Sequence, residues 1–480
     1  MMMTTTTTMM MMMPMMMTTT MMMPMMMMTT IMLFTTAAGA SKFFSLSPSE
    51  MVICPVRWPT EPTPLPASNR SVTPRCECTT STFVEIRCYR LDAVPDFIAA
   101  DPPTSVTYAG VYLARQAITS LPRAVFAPLR RVLKIVLDWN RLDENVHPAA
   151  FAGVERRLRE LHLGACRLRQ PPTLLLRGMT DLERLYLWGN HVEILPAGFL
   201  RGLANLRELQ LWGNRLEELD ASTFDGLVRL RRLDLDNNRL AALPPDAFRS
   251  LAALEVLHLG RNKIHAVSGD TFAELPSLRR LNLDANGLGY VYPNAFDRLR
   301  NLTSLSLRDN RIQFLPDDVF AQLSHLAELS LENNRLEHAW RKTFDGLRSL
   351  RRLRLSGNRL SNLPEGVFRQ SPRLQYLDLD GNRLATVRRC VLARDVRLRT
   401  LSLTGNPIVC DCRLVWVRSM VGGSAIAGGT AGMPVWGTCS AASPLLPVNN
   451  ILAALAEWRD DTFGHAACSA TWPPDCKLSR

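Results

Sequence analysis

The chain of 480 residues lacks the marks by which an enzyme is usually read from sequence. It has no G-x-S-x-G nucleophile elbow, no phosphate-cradling G-x-x-x-x-G-K-[ST] loop and no H-E-x-x-H metal pair, which leaves hydrolase, nucleotide-transfer and zinc-peptidase chemistry without support. Long apolar runs are lacking too: beyond the first 40 residues no stretch approaches the ~18–20 apolar residues that cross a bilayer. Those first 40 residues, a run of Met and Thr, contain no Lys or Arg, the earliest being Lys42. Their last part, "MMMMTTIMLFTTAAGA", closes on Ala38-Gly39-Ala40, an A-x-A-like cleavage site. That ending predicts a signal peptide cut after Ala40, although the positive start is missing; the alternative is a low-complexity or mis-started N-terminus. The final "DCKLSR" lacks the hydrophobic tail of a lipid-anchor signal, so an exported chain is expected to be released. A uniform basic field is absent as well. The formal charge is +12, yet residues 151–350 carry 27 basic and 25 acidic side chains, whereas residues 351–400 carry 12 arginines against four acids.

Repetition is what the chain has in abundance. The segments "LRELQLWGNRLEELDASTFDGLVR" (206–229), "LRRLDLDNNRLAALPPDAFRSLAA" (230–253) and "LRRLRLSGNRLSNLPEGVFRQSPR" (350–373) share L-x-x-L-x-L-x-x-N-x-L-x-x-L-x-x-x-x-F with period 24. The slot asparagine recurs every 24 residues from Asn190 to Asn406, and phenylalanines follow ten residues later at 224, 248, 272, 296, 320, 344 and 368. Asn140 and Gln116 occupy the slot in two degenerate earlier units, and Cys166, 26 residues after Asn140 and 24 before Asn190, occupies it in a third. Thirteen units result, the last merging into the C-terminal region. In L-x-L, alternation sends the leucines to one side of a short strand and the intervening residues to the other. An asparagine carries both donor and acceptor and can satisfy backbone groups where the chain turns inward. No unit buries its apolar face alone, so stacked neighbours must supply the core and both ends need caps.

These residues resemble the extracellular leucine-rich-repeat proteins with N- and C-terminal cysteine caps, the group of the Slit proteins, the Nogo receptor, chondroadherin and the acid-labile subunit. Cys54-Pro55, "CEC" (76–78) and Cys88 resemble the N-terminal cap; "NPIVCDCRLVWV" (406–417) with Cys439 and Cys468 resembles the C-terminal one. The departure is a Pro-rich insertion that separates Cys54 from Cys76 by 21 residues. The resemblance implies an α/β solenoid, a right-handed curved array with a parallel concave sheet and disulfide-bonded end caps. It also implies the bridges Cys54–Cys78, Cys76–Cys88, Cys410–Cys439 and Cys412–Cys468, in place of metal ligation by the C-x-C pairs. The domains expected are a signal-like segment (1–40), an N-terminal cap (41–105), the repeats (106–405) and a C-terminal cap (406–480). Disulfides place the chain in an oxidising compartment.

The residues between the leucines face solvent, so a partner would meet them. Two and four residues before the early slots stand Tyr186, Trp188 and Trp212, with Tyr112 and Trp139 further towards the N-terminus. Clustered exposed aromatics give large contact area at low entropic cost and favour a binding site; mutual packing is the plainer alternative. The middle repeats add Asp234, Asp236 and His258 as an electrostatic selector. Asp234 and Asp236 beside Asp284 also raise a calcium site, against which a solvated acidic strip is favoured. His162 and His258 lie four repeats apart, roughly 19 Å at about 4.8 Å per strand, too far to share a metal. Arg359, Arg373, Arg383 and Arg397 recur in equivalent positions of adjacent repeats and suggest a polyanion site for heparan sulfate or another sulfated glycosaminoglycan. Asn69-Arg70-Ser71 and Asn301-Leu302-Thr303 are glycosylation sequons. The expectation is a secreted, non-catalytic scaffold of the extracellular space or matrix that binds a protein ligand through the concave face. It needs no cofactor or metal and has neither a nucleic-acid partner nor a transmembrane segment. The alternative is a matrix-associated protein that binds sulfated glycosaminoglycan through 351–400.

Overall fold

The computed structural model describes residues 56–57, 75–78, 83–97, 107–143, 145–393, 396, 398–408 and 435–436. From residue 107 onward each repeat contributes one strand to a single sheet, starting with Thr107–Tyr112 and Lys134–Val136 and ending with Thr400–Ser402. Most of these strands have three residues because the L-x-L segment is all that alternates before the chain turns away. The pairing is parallel with a constant offset: Arg232 lies opposite Glu208 on one side and Val256 on the other. At the N-terminal edge Arg75–Cys78 pairs antiparallel with Phe83–Tyr89, which then pairs parallel with Thr107–Tyr112. At the other edge Val435–Trp436 continues the parallel order. The solenoid expectation holds, with almost no helix among the described residues. Two short 3-10 segments, Gly269–Phe272 and Arg389–Val391, interrupt a convex side made of turns.

Two columns of buried side chains hold the repeats together. The strand leucines, among them Leu209, Leu233 and Leu257, are fully buried in register. On the convex side Phe224, Phe248 and Phe272 stack at 6.1 and 6.3 Å, and Phe296, Phe320, Phe344 and Phe368 continue the spine. The slot asparagine stitches consecutive turns. Asn238 donates its amide to the carbonyls of Leu211 (3.0 Å) and Leu235 (3.0 Å), and its Oδ1 accepts the Leu216 N–H (3.1 Å). Each asparagine thus satisfies buried backbone groups in two repeats, where leaving them unpaired would cost about 1–3 kcal/mol apiece. The residue before each slot is left-handed in all thirteen repeats, with φ between 50 and 71° from Arg115 to Gly405. This explains the recurring Gly and Asn there.

One repeat departs from the period. Lys134 lies opposite Glu160, an offset of 26 residues rather than 24. One extra residue precedes Phe151 and one follows it. In this unit Cys166 does the asparagine's work by other means. Its thiol donates to the Leu137 carbonyl (3.1 Å), while its own backbone carbonyl accepts the Leu142 N–H (3.2 Å).

Candidate functional site

The solvent-facing columns converge on a tryptophan cluster. Trp188 and Trp212 hold the same register on neighbouring strand ends, and their indoles stack at 5.1 Å and 3°. Trp139 reaches Trp188 from the opposite side, edge to face, at 5.5 Å and 66°. It spans the intervening repeat because Gly164 and Ala165 are small there. A Cβ at Gly164 would stand 2.2 Å from the Trp188 ring, so the glycine is the seat of that indole. Trp139 is 52% and Trp212 37% exposed, and Trp139 adopts φ 62°. That left-handed φ is shared by the residue before the slot in all thirteen repeats and belongs to the repeat's turn. Both sequence alternatives are therefore realised at once: the indoles pack on one another and still present an aromatic surface.

Beneath the cluster lies a polar chain that the sequence did not single out. His162 stacks on Tyr186 at 4.0 Å, and its two ring nitrogens meet Asp138 (3.2 Å) and Glu160 (2.7 Å). Burial alone would lower its pKa, but the bonds to Asp138 and Glu160 outweigh that and hold it above the ordinary value. The bond from His162, helped by Lys134, brings Glu160 down to about 2 against the opposing effect of burial. Asp138 also accepts the Gly164 N–H (2.6 Å), tying the histidine to the seat of Trp188. With both nitrogens occupied, His162 offers no open base to a substrate. Cys166 is equally unsuited to catalysis: burial pushes its thiol up to about 12, far from the thiolate a nucleophile needs. The sequence signal for this chain was present, since residues 138, 160 and 162 occupy the solvent-facing columns of adjacent strands.

The mid-array acids turn out to be partly structural. Asp236 accepts the Gly260 N–H (2.5 Å), as Asp284 accepts that of Arg308 (2.9 Å) and Asp380 that of Thr404 (2.6 Å). Burial, joined by the nearby Asp236 charge, raises the pKa of Asp234. Donor atoms of Asp234, Asp236 and His258 lie within 4.8 Å of one another. Asp284 stands apart from that group, occupied by Ser306 (2.5 Å) and the Arg308 amide.

The three polyanion candidates among the described residues do not form one patch. Arg359 and Arg383 follow their slots, at the ends where the chain leaves the strands; Arg373 precedes the strand Tyr376–Asp378 and lies on the opposite flank of the sheet. Arg359 is moreover paired with Glu337 at 3.5 Å. Arg397 lies outside the described residues. So do residues 1–40, the sequon asparagine Asn69, and Cys54, Cys410, Cys412, Cys439 and Cys468. The expected bridge Cys76–Cys88 is present, and Cys78 is disulfide-bonded. Asn301 is exposed, but its amide donates to the Pro276 carbonyl at 2.8 Å. Among the described residues no helix is long and apolar enough to cross a membrane.

Residues 180–240, 228–288, 300–360 and 348–408 match the leucine rich repeat family model. The array is a leucine-rich-repeat array. Among solved structures it is similar to TLR13 in a complex with ssRNA13, with 28% identity and TM-score 0.61 over 67% of this chain. This chain spans 46% of that receptor chain. An internalin, inlF of Listeria monocytogenes, shares the fold with 19% identity and TM-score 0.51, over 65% of this chain and 85% of its own. Toll of Drosophila, in its complex with Spatzle, does so with 17% identity and TM-score 0.51, over 80% and 72%. No curated protein matches this chain in sequence.

Proposed function

We propose that the protein is a secreted, non-catalytic leucine-rich-repeat scaffold that binds an extracellular protein through the concave face of its repeats. The observation that carries this reading is the stacked pair Trp188–Trp212, extended by Trp139 and flanked by Tyr186. Rigid aromatics of this kind anchor protein interfaces with little entropic loss. The Cys76–Cys88 bridge supports an oxidising compartment. The two held groups, His162 and Cys166, support the absence of catalysis at this face. Asp234, Asp236 and His258 extend the same surface and would bias it towards a partner of complementary charge. The Slit-like grouping, the C-terminal cap bridges, a matrix role and glycosylation at Asn69 and Asn301 belong to this proposal. The polyanion alternative through 351–400 is the weaker reading, because its arginines divide between two flanks.

The test is selection of a binder from a displayed library of extracellular domains, followed by affinity measurement on variants. Trp188→Ala with Trp212→Ala is expected to weaken binding by about 30-fold or more, the effect of losing a hot spot. Arg359→Ala with Arg383→Ala is expected to leave it unchanged. Equal affinity for the native chain and the tryptophan variant would reject this site.

A further inference from the structure

Two adjoining hollows open at the irregular repeat, on the flank where the chain leaves the strands. The larger, about 660 Å³, is lined by Arg115, Trp139, Arg141, Arg167 and His191 among others. The smaller, about 560 Å³, is lined by Asp143, Asn145, Arg167, Arg169 and His191. Further along this flank a partial ion-pair ladder neutralises the arginine after the slot at three turns, while Arg311, Arg335 and Arg383 face Gly289, Gln313 and Ser361 instead. Arg215 meets Glu193 at 3.9 Å, Arg239 meets Glu217 at 3.4 Å and Arg359 meets Glu337 at 3.5 Å, each acid three residues past the preceding slot.

At the hollows that ladder fails. The acid position facing Arg141 is Thr119, and the one facing His191 is itself a cation, Arg169. Asp143 holds the position facing Arg167 without coming within 4 Å of it. Among the described residues no carboxylate lies within 4 Å of Arg115, Arg141, Arg167 or Arg169. Among the described residues Asp143 is the one acid lining either hollow, and Glu144 follows it in sequence. The backbone is unusual here as well. In the described repeats, left-handed residues fall in periodic positions except Asp143 (φ 40°) and Arg167 (φ 65°), and both line the hollows.

We propose that the two hollows together bind a sulfated saccharide, with the arginine forks on its sulfates and Trp139 against a sugar ring. Stacked like charges without counter-charges raise a local positive potential that an anion relieves, and planar guanidinium groups match the oxygens of a sulfate ester. The exposed Trp139 face, with Arg115 at 5.8 Å from its ring, supplies the flat apolar contact that a sugar ring needs. Asp143 and Asn145 supply hydrogen-bonding groups for hydroxyls. An acidic protein segment would satisfy the arginines but would leave the hydroxyl-pairing groups Asp143 and Asn145 without the partners that a sugar brings. The site differs from the polyanion patch at 351–400, and it does not rest on the protein-binding reading of the concave face.

The test is calorimetric titration of a heparin-derived oligosaccharide of defined length into the full chain. One Arg→Gln change among Arg141, Arg167 and Arg169 is expected to weaken binding about tenfold, and all three together about a hundredfold or more. The corresponding Arg→Lys triple variant should fall between, keeping charge but losing the fork. Arg359→Gln with Arg383→Gln should bind as the native chain does. Trp139→Gly suits the left-handed backbone and should weaken binding several-fold; it stands in with Arg169→Gln if the triple variant fails to fold. Native-like binding by the hollow variants, or an equal loss on changing Arg359 and Arg383, would overturn the proposal. So would a glutamate-rich peptide that binds as tightly as the oligosaccharide and competes with it, since the occupant would then be an acidic protein segment.

Discussion

Between Asn214 and Asn382 the array repeats its contacts at a fixed period, whereas between Gln116 and Asn190 it does not. In the regular stretch the asparagine ladder and the phenylalanine column recur with each turn, and an Arg–Glu pair joins some of the turns. In the early stretch the slot holds Gln116 and Cys166, the Phe position of the Cys166 unit holds Leu176, and the ion-pair ladder loses its acids. The groups left over there face outward: Trp139 and Trp188, Arg141, Arg167 and Arg169 with no carboxylate within 4 Å among the described residues, and a histidine held between two acids. A solenoid of near-independent turns tolerates such a lapse because each turn leans only on its neighbours. The lesson is that the period builds the scaffold, and its interruptions present chemistry.

The widest gap between the two stretches should appear in stability. Asn238→Ala strands the buried Leu216 N–H and removes one of two donors from each of the Leu211 and Leu235 carbonyls, and is expected to cost about 2–4 kcal/mol, while Cys166→Ala loses one thiol donor and should cost about 1 kcal/mol. Urea unfolding of the two variants measures this, and equal losses would break the contrast. Next in size is the seat of Trp188. Gly164→Val drives a side chain into the indole and should destabilise by about 1–3 kcal/mol, with loss of the stacked-indole signal in near-ultraviolet circular dichroism. The pH dependence comes third. His162 has a folded pKa above its unfolded value of 6.5, so its contribution is full below that pH and fades as pH rises through the folded value. Glu160 acts oppositely: its contribution is present above about 4.5 and is lost as pH falls towards about 2. Stability measured across this range should flatten at its upper end in His162→Gln; an unchanged profile would separate the histidine from the acids beside it. Smallest is Arg239→Ala, whose exposed pair with Glu217 should be worth less than about 1 kcal/mol.

The regular stretch was legible because leucine, asparagine and phenylalanine each perform one local task at a fixed interval. Cys166 was legible for the same reason: its position alone placed it inside. The aromatic surface was half legible. Trp188 and Trp212 fall in the solvent-facing columns, but the reach of Trp139 across Gly164 depends on the absence of a side chain two strands away. The polar chain through Asp138, Glu160 and His162 was missed because it crosses strands 24 and 26 residues apart, where a linear scan finds no motif. The basic stretch has a related complication. Arg359 and Arg373 share a stretch of sequence, but the sheet lies between their flanks. Charge counted along the chain also ignores the glutamate of the preceding turn.

The claim that function concentrates where the period breaks is tested most directly by hydrogen exchange on the chain with a selected protein partner bound. Protection is expected across strands Lys134–Val136, Glu160–His162, Arg184–Tyr186 and Glu208–Gln210, together with the loops that carry Trp139 and Trp188. Protection confined to strands from Val256–His258 onward, with the early strands exchanging as in the free chain, would contradict it.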